Sequence, residues 1–185
     1  MISSRFQDAI ARFDAANAKD PRGNELPYAQ KLSAWVERLA PDASEALRLA
    51  ARAQHLQRWE IPRESHPPGR VGYLKWREDL KQFHAHKAGE ILREVGYDEP
   101  TIARVQDLIR KRNFPRDGEG RVLEDALCLV FLETQLAETT GKTGEEKMVE
   151  ILRKTWRKMT PRAQEIAAAL PMSDAGLALI HRALK

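Results

Sequence analysis

Three ionisable side chains, His55, His84 and Asp125, stand where a helical pattern otherwise places apolar residues. Around FHAHKAGEIL, residues Leu80, His84, Ala88, Ile91 and Val95 step by three or four, so His84 shares an apolar stripe. His86 falls instead with Gln82, Glu90 and Arg93 on the wet face. In GRVLEDALCLVFLE the stripe is Val122, Asp125, Leu129, Leu132 and Leu136, with Glu124 beside it. His55 closes the line Leu47, Ala51 within LRLAARAQHLQRWEIPR. An imidazole or carboxylate on an inner face costs free energy unless it is paired or bound to a cation. Nitrogen and oxygen donors from separate helices suit a divalent Mn, Zn, Fe or Co ion, and equally a His–Asp pair without metal.

Cations surround these positions in the sequence. Arg52 and Arg58 flank His55, Arg63 and Arg70 lie in the loop after it, and Lys75 and Arg77 sit in YLKWR. Arginine forks receive phosphate or carboxylate through paired hydrogen bonds. Arg58, Arg63, Arg70, Lys75 and Arg77 are therefore expected to bind an anionic group, with Trp59, Tyr73 and Trp76 available to stack on a ring. The alternative is that these aromatics are core and the cations solvated.

The elements that must position these groups read as helices throughout. Ser3 or Ser4 can cap a first helix bearing Phe6, Ile10 and Phe13, broken by DPRGN. A second begins near Leu26 or Pro27 and carries Leu32, Trp35, Val36 and Leu39. A third, capped by Asp42 or Ser44, is expected through ASEALRLAARAQHLQRW. IPRESHPPGR holds three prolines and a glycine and must be a loop. A long fourth helix is expected from about Tyr73 to Val95, a fifth from Asp98, a sixth from about Glu119 to Glu138 and a seventh from Lys142 to Lys158. Two short helices follow caps at Thr160 and Ser173. No period-2 strand or internal repeat is apparent. The expectation is one all-α domain of roughly eight to nine helices. Its core would span residues 26–140, with a helical extension over 142–185.

Bulk properties narrow the class. The chain has 185 residues, 42% hydrophobic and 31% charged, the composition of a globular protein. Its 31 basic and 27 acidic residues give a net charge of +4, which permits an anionic ligand without demanding nucleic acid. The single cysteine, Cys128, lies in an apolar run and reads as a buried thiol in a reducing compartment. No apolar run reaches the roughly 18 residues of a membrane span. MISSRFQDAIARFD is no secretory signal, so a cytoplasmic protein without a membrane partner is expected.

Longer strings carry a resemblance. RFQDAIARFDAAN, RLAARAQHLQRWEIPR, GYLKWREDLKQFHAHKAGEILREVGY, TIARVQDLIRKR, LEDALCLVFLE and EKMVEILRKTWRKM resemble an uncharacterised bacterial helical family, the domain of unknown function numbered four-two-zero-two. Some members carry the label glutamyl-tRNA synthetase. This chain lacks the HIGH- and KMSKS-type signatures and any parallel-sheet pattern, and it is too short for that enzyme. The order of inner residues also looks like the metal-dependent HD-domain phosphohydrolases. That likeness implies a metal held by His55, His84 and Asp125, which would also be the catalytic residues. The chain departs from the pattern at Leu56, where the paired aspartate belongs, and before His55, where Tyr28 or Gln30 stands in place of a first histidine. Arg112 stands where some members have a further histidine.

Three functions follow as expectations. An HD-like phosphohydrolase would act on a phosphorylated small molecule or nucleotide, with the inner trio holding a metal or activating water and the arginines holding phosphate. A non-catalytic pocket would bind an anionic ligand or nucleotide. An RNA- or tRNA-associated protein would use the basic LIRKR and ILRKTWRKM segments.

Overall fold

The computed structural model describes residues 3–185, and among these residues it is all-α, with ten α-helices, two 3-10 turns and no strand. None of the helices is long and apolar enough to cross a membrane. The chain divides into two compact units, Met1–Gly120 and Arg121–Lys185.

The first unit holds α1 (Ser4–Asn17), α2 (Glu25–Leu39), α3 (Glu45–Ala53), α4 (Gly69–Glu94) and α5 (Glu99–Arg110). Short polar caps set the starts. Ser3, Ser44 and Asp98 each accept a hydrogen bond from the backbone N–H three residues on, satisfying donors that a helix start leaves free. α2 is capped differently. The Asp20 carboxylate accepts from the N–H groups of Arg22, Asn24 and Glu25, which fixes the first turn of α2 and with it Glu25. Phe13, Leu32, Leu47, Leu49, Leu80, Leu92 and Ile109 fill the core. Arg52 on α3 grips both carboxylate oxygens of Asp14 on α1, at 2.6 and 2.8 Å.

The structure revises two expected boundaries around the site. The third helix ends at Ala53, not at Trp59, so His55 stands in the turn that follows it. Gln57 takes a left-handed φ of 52°, which an α-helix cannot contain, and its N–H donates to Asn17 Oδ1 at 3.0 Å. The chain then makes a 3-10 turn over Arg58–Glu60 and another over Arg63–Ser65. The fourth helix starts earlier than expected, at Gly69, immediately after Pro67 and Pro68. Its second turn needs glycine at Gly72, because a Cβ there would meet the Pro67 carbonyl oxygen at 1.9 Å.

The boundary between units falls in the first turn of α6 (Gly118–Thr134), and the second unit continues with α7 (Leu136–Thr143), α8 (Glu145–Lys158), α9 (Pro161–Ala168) and α10 (Asp174–Leu184). The expected sixth helix is thus interrupted at Gln135. The seventh begins only after Gly144, whose φ of +81° ends α7. Thr160 and Ser173 cap α9 and α10 as the sequence predicts. α8 buries Met148, Val149 and Leu152, while Arg153, Lys154, Arg157 and Lys158 stay exposed. Cys128 is a buried thiol on α6 that forms no disulfide.

Candidate functional site

The turn after α3 brings His55 against the first turn of α2. The rings of Tyr28 and His55 stack, with centroids 4.3 Å apart and planes 8° from parallel. Glu25, one helical turn before Tyr28, places Oε2 3.7 Å from His55 Nδ1. The His84 ring lies 5.8 Å from the His55 ring, and Phe83 packs on His84 edge to face. Glu25 and His55 are mostly buried, with side chains 15% and 21% exposed, and His84 is buried outright.

One hydrogen bond defines His84. Its Nδ1 lies 2.8 Å from the Leu56 carbonyl oxygen. A carbonyl only accepts, so Nδ1 carries the hydrogen and Nε2 is left as a bare acceptor. That Nε2 is buried and has no hydrogen-bond partner.

The field around these rings is cationic. Arg58, half-buried in the 3-10 turn, lies over the Trp76 indole at 4.9 Å, and Trp76 in turn donates to the Ile61 carbonyl at 2.9 Å. Arg77 donates to the Tyr73 hydroxyl at 3.1 Å. Tyr73, Arg77 and His84 share one face of α4, which runs from the surface to the buried imidazole. Among the described residues neither Arg58 nor Arg77 forms an ion pair with a carboxylate. Burial pushes the His84 imidazole down to about 4, assisted by Arg58 and Arg77 and opposed by the Leu56 hydrogen bond. His55 is pushed well below its ordinary value by burial, then by Arg58, His84, Arg77 and Lys111. Both rings are therefore neutral near pH 7. Burial raises the Glu25 carboxyl to about 7, against the pull of Arg58. The same burial lowers Arg58.

The other residues singled out in the sequence have partners of their own. Arg63 braces its own loop by donating to the carbonyls of His66, Pro67 and Gly69. Lys75 lies 3.4 Å from Asp79, and Arg70 is exposed. Asp125 belongs to the second unit, where it is buried and both carboxylate oxygens are engaged by Thr160. Oδ1 accepts from the Thr160 N–H at 2.8 Å and Oδ2 from its hydroxyl at 2.6 Å. So the structure joins His55 to His84 and gives Asp125 a capping role beside α9.

Glu25 and Tyr28 complete the pair of imidazoles, and neither was among the sequence-selected site residues. A signal was present. Glu25, Tyr28 and Leu32 step by three and four into the buried stripe of α2 once that helix is started one residue earlier.

The donor set is a poor fit for a divalent ion. Among the described residues no group of three or more His, Cys, Asp or Glu side chains is placed to hold one. His84 offers one nitrogen, Glu25 holds its proton up to about pH 7, and the surrounding guanidiniums oppose a second positive charge. Elemental mass spectrometry of the purified protein is expected to find well under about one metal ion per ten chains. Near-stoichiometric metal would overturn this assessment of the donor set.

The fold and the site define an all-α protein with two neighbouring, mostly buried imidazoles in a cationic setting. The chain belongs to the family described as Domain of unknown function (DUF4202), which matches residues 7–180. No curated protein and no solved structure matches the chain.

Proposed function

We propose that the pocket of the first unit binds a small anion, with a phosphate or carboxylate group received by Arg58 and Arg77 beside His55 and His84. One observation carries this reading. Arg58, half-buried over the Trp76 indole, and Arg77, on the same face of α4 as His84, form no ion pair with a carboxylate among the described residues, and Glu25, the carboxyl 3.7 Å from His55, is raised to about 7 by burial. The pocket is then net positive, and a guanidinium taken out of water is stabilised by a counter-anion. Tyr28, stacked on His55, and Trp76, under Arg58, give the anion apolar walls.

The phosphohydrolase reading, built on the likeness to HD-domain enzymes, asks in addition for a metal-holding donor set. The weakness of that set puts binding ahead of turnover. The basic side chains of α8 that suggested an RNA partner, Arg153, Lys154, Arg157 and Lys158, are exposed and need no ligand to explain them.

Calorimetric titration with inorganic phosphate near pH 6.5 tests the proposal. Arg58→Ala is expected to weaken phosphate binding by about tenfold or more, because a charge-assisted pair of hydrogen bonds is lost. Unchanged affinity in that variant, or no binding by the wild type, would remove the reading.

A further inference from the structure

We infer that His84 is a specificity-determining residue: its Nε2 accepts a hydrogen that the bound anion itself supplies. The inference rests on the anion-binding reading and adds which anions the pocket takes. They carry an O–H or N–H donor of their own, as hydrogen phosphate does and sulfate does not.

The reasoning starts from the tautomer. The Leu56 carbonyl, 2.8 Å away, fixes the hydrogen on Nδ1. Nε2 therefore presents a lone pair, and it is buried without a partner. A buried polar atom left unpaired costs about 1–3 kcal/mol, so such atoms are rare and ask for a reason. Protonating Nε2 is no remedy, because burial and the two guanidiniums keep the ring neutral down to about pH 4. The missing partner must therefore be a donor.

The neighbourhood says where that donor comes from. Arg58 follows by two residues the Leu56 carbonyl that holds His84 Nδ1, Arg77 shares the α4 face of His84, and the two imidazole rings lie 5.8 Å apart, so an anion held by these guanidiniums lies beside both rings. Arginine cannot distinguish phosphate from sulfate by charge or shape, since both are tetrahedral oxyanions. A bare imidazole nitrogen can. Inorganic phosphate keeps at least one P–O–H through the neutral range and satisfies Nε2. Sulfate has no hydrogen to give and sets an oxygen lone pair against a nitrogen lone pair. A site built around a hydrogen bond rejects an analogue that lacks it far more strongly than a site built on shape.

The test measures affinity for inorganic phosphate and for sulfate, by calorimetry at constant ionic strength near pH 6.5, on wild type and His84→Asn. Asparagine keeps an N–H near the Nδ1 position for the Leu56 carbonyl and removes the acceptor at Nε2. Wild type is expected to prefer phosphate by about tenfold or more. In His84→Asn the preference is expected to collapse toward parity, while phosphate still binds through the arginines. The ¹⁵N resonance of His84 Nε2 in the wild type supplies a readout that does not depend on the variant folding. It should move away from its unprotonated position with phosphate and stay with sulfate. Equal affinities in wild type with an unmoved Nε2 resonance would overturn the inference while leaving anion binding intact, as would a phosphate preference retained by His84→Asn. Binding of neither anion would overturn the anion-binding reading, and this inference with it.

Discussion

Replacing Glu25 with glutamine is expected to preserve phosphate binding above pH 7, where the wild type loses it. The Glu25 carboxyl sits 3.7 Å from His55 and is raised to about 7 by burial. Below that pH it is neutral and the pocket keeps its positive charge. Above it a carboxylate appears beside the bound anion. Two unit charges about 4 Å apart repel by several kcal/mol at the effective dielectric of a half-buried site. Solvent reduces this, and we expect the wild type to lose about tenfold more affinity than Glu25→Gln between about pH 7 and 8.5. The comparison between the two proteins at each pH cancels the titration of phosphate itself. Parallel pH profiles would show that Glu25 does not face the anion.

The same substitution has a consequence for stability, and its sign can be worked out. Glu25 has a folded pKa raised from 4.5 to about 7. Its contribution is full below the unfolded value and lost as pH rises through the folded one. That loss is about 3 kcal/mol at most. His84 runs the other way. Lowered from 6.5 to about 4, it makes the folded state less able to take a proton, so stability rises with pH across that interval by a similar amount. Glu25 opposes the two imidazoles between about pH 4.5 and 6.5, since His55 acts in the same sense as His84, so wild-type stability should rise with pH less steeply there than that of Glu25→Gln. Glu25→Gln removes one arm. Its melting temperature is expected to climb with pH over that window, as His84 and His55 then act unopposed. Thermal melts of the two proteins between pH 4.5 and 7 check this, and a flat profile in the variant would contradict it.

The second large effect lies in the other unit. Asp125→Ala is expected to cost about 3 kcal/mol of stability, seen as a melting temperature lower by about 6–12 °C. Alanine leaves the Thr160 N–H and hydroxyl without the acceptors they meet at 2.8 and 2.6 Å, at the start of α9. Asp125→Asn keeps one acceptor oxygen for the N–H and should recover about half of the loss. A metal or catalytic role predicts the reverse: a variant as stable as the wild type that has lost an activity. A melt within about 1 °C of the wild type would rule out the capping role.

The stripes that picked out His55, His84 and Asp125 were correct about burial for His84 and Asp125, and His55 is mostly buried. They were silent about company, because a helical period gives the face of a residue and not the identity of what lies opposite. Asp125 shows this. Its partner Thr160 was recognised in the sequence as the cap of a short helix, but a cap has two lone pairs and a hydroxyl hydrogen. Nothing in the sequence says which acceptor that hydrogen finds. Caps at Ser3, Ser44, Asp98, Thr160 and Ser173 were all legible, since each depends on a side chain reaching only three residues along its own chain. Gln57 was not. Its left-handed backbone is stabilised by Asn17, forty positions earlier, and glutamine carries no local signature for that conformation. That backbone keeps the helix from resuming after His55, which stands in the turn beyond Ala53 and stacks on Tyr28. Glu25 was missed for the opposite reason: the proline at position 27 drew the helix start one residue too late, although Asp20 provides the true cap.

The solitary thiol gives the chain a practical property. Cys128 is buried, so maleimide and nitroxide reagents meet little competing sulfur under native conditions. A cysteine placed at Val71, which is 83% exposed on the outer side of α4, becomes the one readily labelled position in the molecule. From there a spin label or dye sits on the same helix that supplies Arg77 and His84. Ligand arrival at the pocket then becomes visible as a change in probe mobility, with no native cysteine to be removed first.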